Sequence, residues 1–318
     1  MPELPEVQTI VDDLNRKIIG RRIKRIWFDI PKAITIIFAD KYGKMRGTAR
    51  NSKELKRVFE KEIKGLEIIE IKRRGKNILI YLNQKPKTKN QKFLLLIHQK
   101  LTGHLLYGKW QVDKVKNQKL KVKNLLKGPL EEKVNNYIHL IFYLNNGWQL
   151  GLSDLRKFAK VLFGPKEEIE KMPDLLKIGP EPLDKKLTIQ KFKSLINQEG
   201  RKIKQVLMDQ EVLAGIGNIY SDEILWFAKI NPLKPANNLT VIELKRIYSA
   251  MQRVLKKAVK LRGTSISDYR DIYGNSGSYA GKRYAYQRTG KPCQRCQSLI
   301  RRIKLGGRSA HYCPVCQL

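Results

Sequence analysis

Between residues 3 and 19 the apolar side chains fall at Val7, Ile10, Val11, Leu14 and Ile18. That spacing is close to 3.6 residues and predicts an amphipathic helix. Pro2 and Pro5 suit its first turn, Glu3 and Glu6 suit its positive end, and Gly20 is a natural stop. From Ile23 to Phe163 the pattern changes to short β-like runs at Thr35–Phe38, Leu66–Lys72, Ile78–Leu82, Phe93–His98, Ile138–Leu144, Gln149–Ser153 and Lys160–Phe163. Turns such as Asn145-Asn146-Gly147 separate some of them, and many short strands predict a sandwich or barrel-like β domain. Lys109–Lys133, rich in Lys, Asn and Gln, reads as a long solvated loop. Pro165 to Pro182 holds Pro173, Pro180 and Pro182 among charges and reads as an interdomain linker. The helical period returns at Leu187 and persists to about Leu261, broken by Gly215 and Gly217 in EVLAGIGNIY. A glycine turn ahead of a helix can expose backbone N–H groups to an anion. A Gly/Ser/Tyr-rich stretch, Gly263–Gly290, leads to the C-terminal segment. The whole reads as an α+β chain without internal repeats.

Lys and Arg number 65 and Asp and Glu 29 in 318 residues, a formal net charge of +36, while 42% of residues are hydrophobic. That apolar share supports real cores and argues against disorder. No apolar run approaches the ~18 residues of a membrane span. MPELPEVQTI has neither a basic start nor an apolar stretch, so no secretory signal is expected and the cytoplasm is. A strongly basic surface suits nucleic acid, an anionic membrane face or an acidic protein. Basic residues spread throughout favour nucleic acid over a merely solvated Lys-rich surface.

The four cysteines, Cys293, Cys296, Cys313 and Cys316, all lie near the end of the chain. Two C-x2-C pairs at this spacing predict one structural zinc held by four thiolates, with no open coordination position. Two disulfides are the alternative, disfavoured inside a cell. Between the pairs, IRRIKLGGRSAHY reads as a β-hairpin with Gly306-Gly307 at its turn. It would project Arg301, Arg302, Lys304 and Arg308, a set suited to a phosphate backbone.

MPELPEV at the start, RRGKNILIYL at 73–82, SDLRKF at 153–158, GPEPL at 179–183, DQEVLAGIGNIYSDEIL at 209–225 and PCQRC…GGRSAHYCPVCQ at 292–317 occur in this order. Together they closely resemble the bacterial formamidopyrimidine-DNA glycosylases, also called 8-oxoguanine DNA glycosylase/AP lyases, over nearly the whole chain. The resemblance implies an N-terminal helix on a β-sandwich (1–164), a linker (165–182), a helix–two-turns–helix module (183–262), a lesion-capping loop and connection (263–290) and a zinc finger (291–318). DNA is held between the two domains in that family. The implied activity is excision of oxidised purines, 8-oxoguanine and formamidopyrimidines, from duplex DNA, with lyase cleavage by β- then δ-elimination.

By the same resemblance Pro2, freed by loss of Met1, is the amine nucleophile, Glu3 the general acid/base and Glu6 a second active-site carboxylate. Without it, Pro2 and Glu3 read simply as a helix start. Lys76 and Asn218 match contacts to the lesion phosphate, Tyr220 lies close to the backbone contacts, and Arg308 matches the zinc-hairpin arginine that grips flanking phosphates. Leu101, Arg156 and Phe158 match the wedge that fills the hole left by a flipped base, with His98 orienting the wedge loop. The pattern departs at His98-Gln99-Lys100-Leu101, where the family often has His-Leu-Gly-Met, and at Ala159, where glycine is usual. The loop from Ser267 to Gly281, with Tyr279 packed in it, corresponds to the family's mobile cover over the extruded base. The implied partner is double-stranded DNA containing oxidised purines or abasic sites, bound by a monomer at the bacterial nucleoid, with no membrane partner. Two alternatives stand. One is an endonuclease VIII-like glycosylase for oxidised pyrimidines, although that branch tends to begin Pro-Glu-Gly-Pro-Glu. The other is a non-catalytic binder of damaged DNA.

Overall fold

The structure is a computed structural model that describes residues 1–39, 45–47, 52–83, 92–114, 120–266 and 268–318. Two compact units emerge: Met1–Pro2, Glu6–Leu176 and Ser265–Gly277 form the first, and Glu3–Pro5, Lys177–Thr264 and Ser278–Leu318 the second.

The first unit opens with α1 (Leu4–Ile18), whose residues from Glu6 onward belong to it. There follow β1 (Ile23–Phe28), β2 (Ile34–Ala39), β3 (Met45–Gly47), α2 (Ser52–Ile63), β4 (Glu67–Arg74), β5 (Asn77–Asn83), β6 (Lys92–His98), β7 (His104–Gly108), β8 (Trp110–Lys114), β9 (Leu120–Asn124), β10 (Ile138–Leu144), β11 (Gln149–Ser153) and β12 (Lys160–Pro165). Two short helices, α3 (Lys166–Glu170) and α4 (Pro173–Leu176), close it. A four-stranded sheet of order β1-β10-β11-β7 and a six-stranded sheet of order β3-β2-β12-β6-β5-β4 bury a common core with α1 and α2. Among the described residues the strands of both sheets pair antiparallel except β12 with β2. Helix α2 departs from the run of strands expected over Ile23–Phe163. Leu55, Phe59 and Ile63 recur every four residues, and Phe59 meets the rings of Phe28, Phe142 and Phe163 at centroid distances of 6.3, 6.3 and 5.4 Å.

The expected loop Lys109–Lys133 contains an antiparallel hairpin of β8 and β9, with 115–119 outside the described residues. Its inward side chains Trp110, Val112 and Val122 join Trp27, Leu106, Leu130, Ile138 and Ile141 in a second apolar cluster. Trp110 seats on glycine. A Cβ on Gly108 would come within 2.7 Å of its ring, and one on Gly151 within 3.1 Å. The lysines misled because in a hairpin only alternate positions face water, and Lys121 and Lys123 are those positions. The expected linker is likewise structured up to Leu176, with Ile169 and Leu175 buried.

The second unit holds Glu3–Pro5, α5 (Ile189–Asn197), α6 (Ile203–Met208), α7 (Asn218–Ala228), α8 (Val241–Lys260), β13 (Arg301–Leu305) and β14 (Arg308–Tyr312). Thr240 caps α8 in a capping box with Glu243. Packing among the four helices is mostly aliphatic, with Phe192, Tyr220 and Tyr279 in the same core and the Phe192 ring 5.5 Å from that of Tyr248.

Candidate active site and zinc hairpin

The glycine turn before α7 presents its N–H groups to an anion, and the chain itself supplies that anion. Glu3 Oε2 accepts from Gly217 N at 2.8 Å and Tyr220 N at 3.3 Å, and Oε1 accepts from Ile219 N at 2.9 Å. The carboxylate thus caps the positive end of α7. Both glycines are required by this seating. A Cβ on Gly217 would lie 2.5 Å from Glu3 Cδ. Gly215 has φ +82°, and its Cβ would lie 2.8 Å from that of Leu4, whose N–H donates to Gly215 O at 2.9 Å. Asn218 begins α7, half-buried, beside Tyr286.

Beyond α7 the second unit ties its zinc hairpin to the helices through buried charge. Lys204 Nζ donates to Asp222 Oδ1 (2.5 Å) and Ser309 O (2.8 Å), while Asp222 Oδ2 accepts from His311 N and Nδ1. Burial pulls the Lys204 ammonium below the ordinary lysine range against the pull of Asp222. Glu223 accepts backbone N–H groups of Tyr284, Ala285 and Tyr286 at 2.9–3.0 Å, and burial raises its pKa despite them. Arg295 lies over the Trp226 ring at 3.8 Å and donates to Trp226 O at 2.7 Å. The four sulfurs of Cys293, Cys296, Cys313 and Cys316 lie within 4.8 Å of one another. Cys296 Sγ and Cys313 Sγ are 3.5 Å apart. Thiolates at about 2.3 Å from one tetrahedral ion would be spaced about 3.8 Å, so the cluster fits zinc. Hydrogen bonds from Ser298 bring the Cys296 thiol down to about 6. At the far end of the hairpin Gly306 and Gly307 take φ +55° and +74°, and Arg308 is exposed beside them.

In the first unit Pro2 and Glu6 are buried and Met1 is exposed. Tyr269 Oη donates to Glu6 O at 3.4 Å. Lys76 sits half-buried in the β4–β5 turn behind Gly75 at φ +57°, with Arg73 donating to Gly75 O at 2.9 Å. Two further turns stand side by side. The 98–103 turn carries Leu101, half-buried. The 154–159 turn carries Arg156 and Phe158, both exposed, with the guanidinium 4.8 Å from the ring centroid. The buried Asp154 locks the two together: its carboxylate bonds to Thr102 Oγ1 and accepts from Arg156 N (3.3 Å) and Ala159 N (2.7 Å). His98 Nδ1 accepts from Lys100 N at 2.9 Å. Burial, with Lys100 and Lys76 nearby, drives the His98 pKa down to about 3, so the ring is neutral.

Three known protein domains match the chain. The formamidopyrimidine-DNA glycosylase N-terminal domain matches residues 1–161, the H2TH domain of the same enzyme 178–270, and the zinc finger found in FPG and IleRS 290–318. The chain is 33% identical over 317 residues to the formamidopyrimidine-DNA glycosylase of Pelotomaculum thermopropionicum, covering 100% of this chain and 99% of the relative. It is 34% identical to that of Herpetosiphon aurantiacus, covering 100% of both. This chain belongs to the formamidopyrimidine-DNA glycosylase family. Among solved structures, Lactococcus lactis Fpg in complex with abasic-site DNA matches with a TM-score of 0.76 at 30% identity, covering 99% of each chain. The Thermus thermophilus MutM (Fpg) protein also matches with a TM-score of 0.76, at 29% identity, covering 99% of this chain and 98% of that one. The zinc of this family member is structural, since four thiolates leave no position for substrate.

Two expectations need correction. Tyr220 and Tyr279 are 0% exposed. Their rings pack 5.5 Å apart and Tyr220 Oη bonds to Thr264 Oγ1 at 3.0 Å, so their side chains serve the core rather than a DNA surface. The loop expected as a mobile cover over the base is in part anchored. Ile272 is fully buried and its carbonyl accepts from Tyr107 N at 2.7 Å, while a Cβ on Gly274 would meet Pro129 at 2.9 Å. Ser267 lies outside the described residues. Thr102, Asp154, Lys204, Asp222 and His311 went unnoticed in the sequence because their partners are far apart along the chain.

Proposed function

We propose that this chain is a bifunctional DNA glycosylase/AP lyase that removes oxidised purines from duplex DNA. The seating of Glu3 on the glycine turn carries this reading, because it holds a carboxylate one residue from Pro2 by three backbone N–H groups. Once Met1 is removed, the Pro2 nitrogen attacks C1′ of the damaged nucleotide and the C1′–N bond to the base breaks. The base leaves with a proton from the general acid, the role assigned to Glu3. A secondary amine bonded to C1′ becomes an iminium ion on ring opening, which acidifies the C2′ hydrogen. Loss of that proton expels the 3′ phosphate, and a second elimination expels the 5′ phosphate. Glu6 is assigned to the deoxyribose, and Lys76, Asn218 and Arg308 to the phosphates around it. Charge-assisted bonds of this kind hold a bent backbone in place.

The flipped base leaves a gap that Leu101 and Phe158 would fill, with Arg156 facing the orphaned cytosine. The Asp154 lock and the neutral His98 support that assignment, since they brace both turns before DNA arrives. Among the described residues no helix is long and apolar enough to cross a membrane. Action on chromosomal DNA in the cytoplasm follows from the reading.

Duplexes carrying one 8-oxoguanine opposite cytosine, one thymine glycol, or no lesion separate the alternatives. The Lactococcus lactis relative has been solved with oxidised-pyrimidine DNA, which motivates the second arm. Cleavage of the 8-oxoguanine strand ahead of the pyrimidine lesion, leaving phosphate on both ends, is expected. Faster cleavage at thymine glycol would favour the endonuclease VIII-like alternative. Tight binding with no cleavage would favour the non-catalytic one.

A further inference from the structure

The turn between β6 and β7 carries two local penalties. Lys100 has φ +53°, the left-handed region that costs an L residue and costs glycine nothing. Gln99 is 1% exposed, and neither atom of its side-chain amide has a hydrogen-bond partner among the described residues. The turn is nevertheless well tied down: Gly103 N donates to Gln99 O at 3.0 Å, Lys100 N donates to His98 Nδ1, and Thr102 bonds to Asp154. Lysine at 100 is therefore held in a conformation that a glycine would adopt more cheaply.

The surroundings of its ammonium are also unfavourable. Burial and then Lys160 pull the Lys100 pKa down, with Asp174 opposing them. Lys76, Lys100 and Lys160 all repel a proton on His98, while the Asp154 carboxylate meets the turn at Thr102. Lys160 pairs across the sheet with His98, so the crowding is built into the register of β6 and β12. The strained backbone and the crowded positive charge of this residue beside Leu101 are offset only in part by Asp174. An anion would relieve the repulsion.

We propose that Lys100 is a DNA-phosphate contact of this turn, holding a backbone phosphate beside the base step that Leu101 enters. The inference rests on the wedge reading above. It adds a residue that fixes how firmly the wedge is pressed into the duplex, in place of the glycine usual there. Strain of this sort is retained where a site uses it.

Three substitutions at one position separate charge from backbone. Lys100→Gly removes both the charge and the left-handed penalty, Lys100→Gln removes only the charge, and Lys100→Arg removes neither. Each is measured for melting temperature and for binding to a duplex with a tetrahydrofuran abasic analogue across a salt series. Lys100→Gly should melt about 2–4 °C higher than wild type yet bind about fivefold more weakly, with the log–log salt slope shallower by about 0.9. Lys100→Gln should melt no lower than wild type with the same binding loss, and Lys100→Arg should match wild type in both. Wild-type affinity and slope in the Gly and Gln variants would overturn the proposal, as would weaker binding with an unchanged slope. If wild type binds the analogue no better than undamaged duplex, the wedge reading itself fails and takes this inference with it.

Discussion

Glu3 and Gly217 constrain each other closely at the scale of single residues. A methyl group on Gly217 would occupy the space of the Glu3 carboxylate, 2.5 Å from Cδ. Gly217→Ala should therefore displace Glu3 and slow base excision by about 100-fold or more, the order expected of a misplacement near 1 Å. Zinc content should be unchanged, and excision at the wild-type rate would show that the seating is irrelevant to chemistry. The glycine turn was legible in the sequence as an anion site, but not the identity of the anion, which lies over 200 residues away. His98 gives a second prediction. Its folded pKa of about 3 lies below the ordinary 6.5. The unfolded chain thus binds more protons between those values, and the stability that the neutral ring contributes above pH 6.5 is lost as pH falls toward 3. His98→Gln should flatten the fall in melting temperature on acidification below that point. The flattening is partial, because buried His104 is shifted in the same direction. An equally steep fall in the variant would contradict the assignment.

Two hairpins carry the argument at the scale of elements. The β8–β9 hairpin covers one face of the four-stranded sheet, so its apolar and basic positions should separate cleanly. Trp110→Ala should cost about 3–5 kcal/mol, read as a large drop in melting temperature. Lys121→Gln with Lys123→Gln should leave melting unchanged, and shallows the salt slope of duplex binding only if these lysines meet phosphate. The C-terminal hairpin was legible almost whole, since C-x2-C spacing and Gly306-Gly307 specify metal and turn directly. Its attachment was not, because Lys204, Asp222 and His311 look like ordinary surface residues until folding buries them. Asp222→Asn should leave Lys204 buried without its counter-charge, at a cost of about 3–5 kcal/mol. Zinc should remain bound, since no sulfur is touched. Zinc loss in that variant would mean the network holds the metal site rather than the hairpin's position. Helix α2 was missed for a related reason: its apolar residues sit among charges that solvate the other face of the helix.

For the whole molecule, a net charge of +36 supplies attraction to DNA of any sequence. On the proposed reading, specificity rests on residues whose geometry is held by several bonds, Glu3 on α7 and the locked turns around Asp154. The division into sandwich-like and helical parts was legible from the change of period along the chain. The assignment of Glu3–Pro5 to the second unit and Ser265–Gly277 to the first was not, because periodicity does not report which core a short segment joins. The proposed chemistry begins at the Pro2 nitrogen. Borohydride reduction during incubation with 8-oxoguanine duplex should trap a covalent protein–DNA adduct, and peptide mapping should place the cross-link on a peptide that starts at Pro2. No adduct, a cross-link on a lysine, or a mature chain that still starts with Met1 would contradict it.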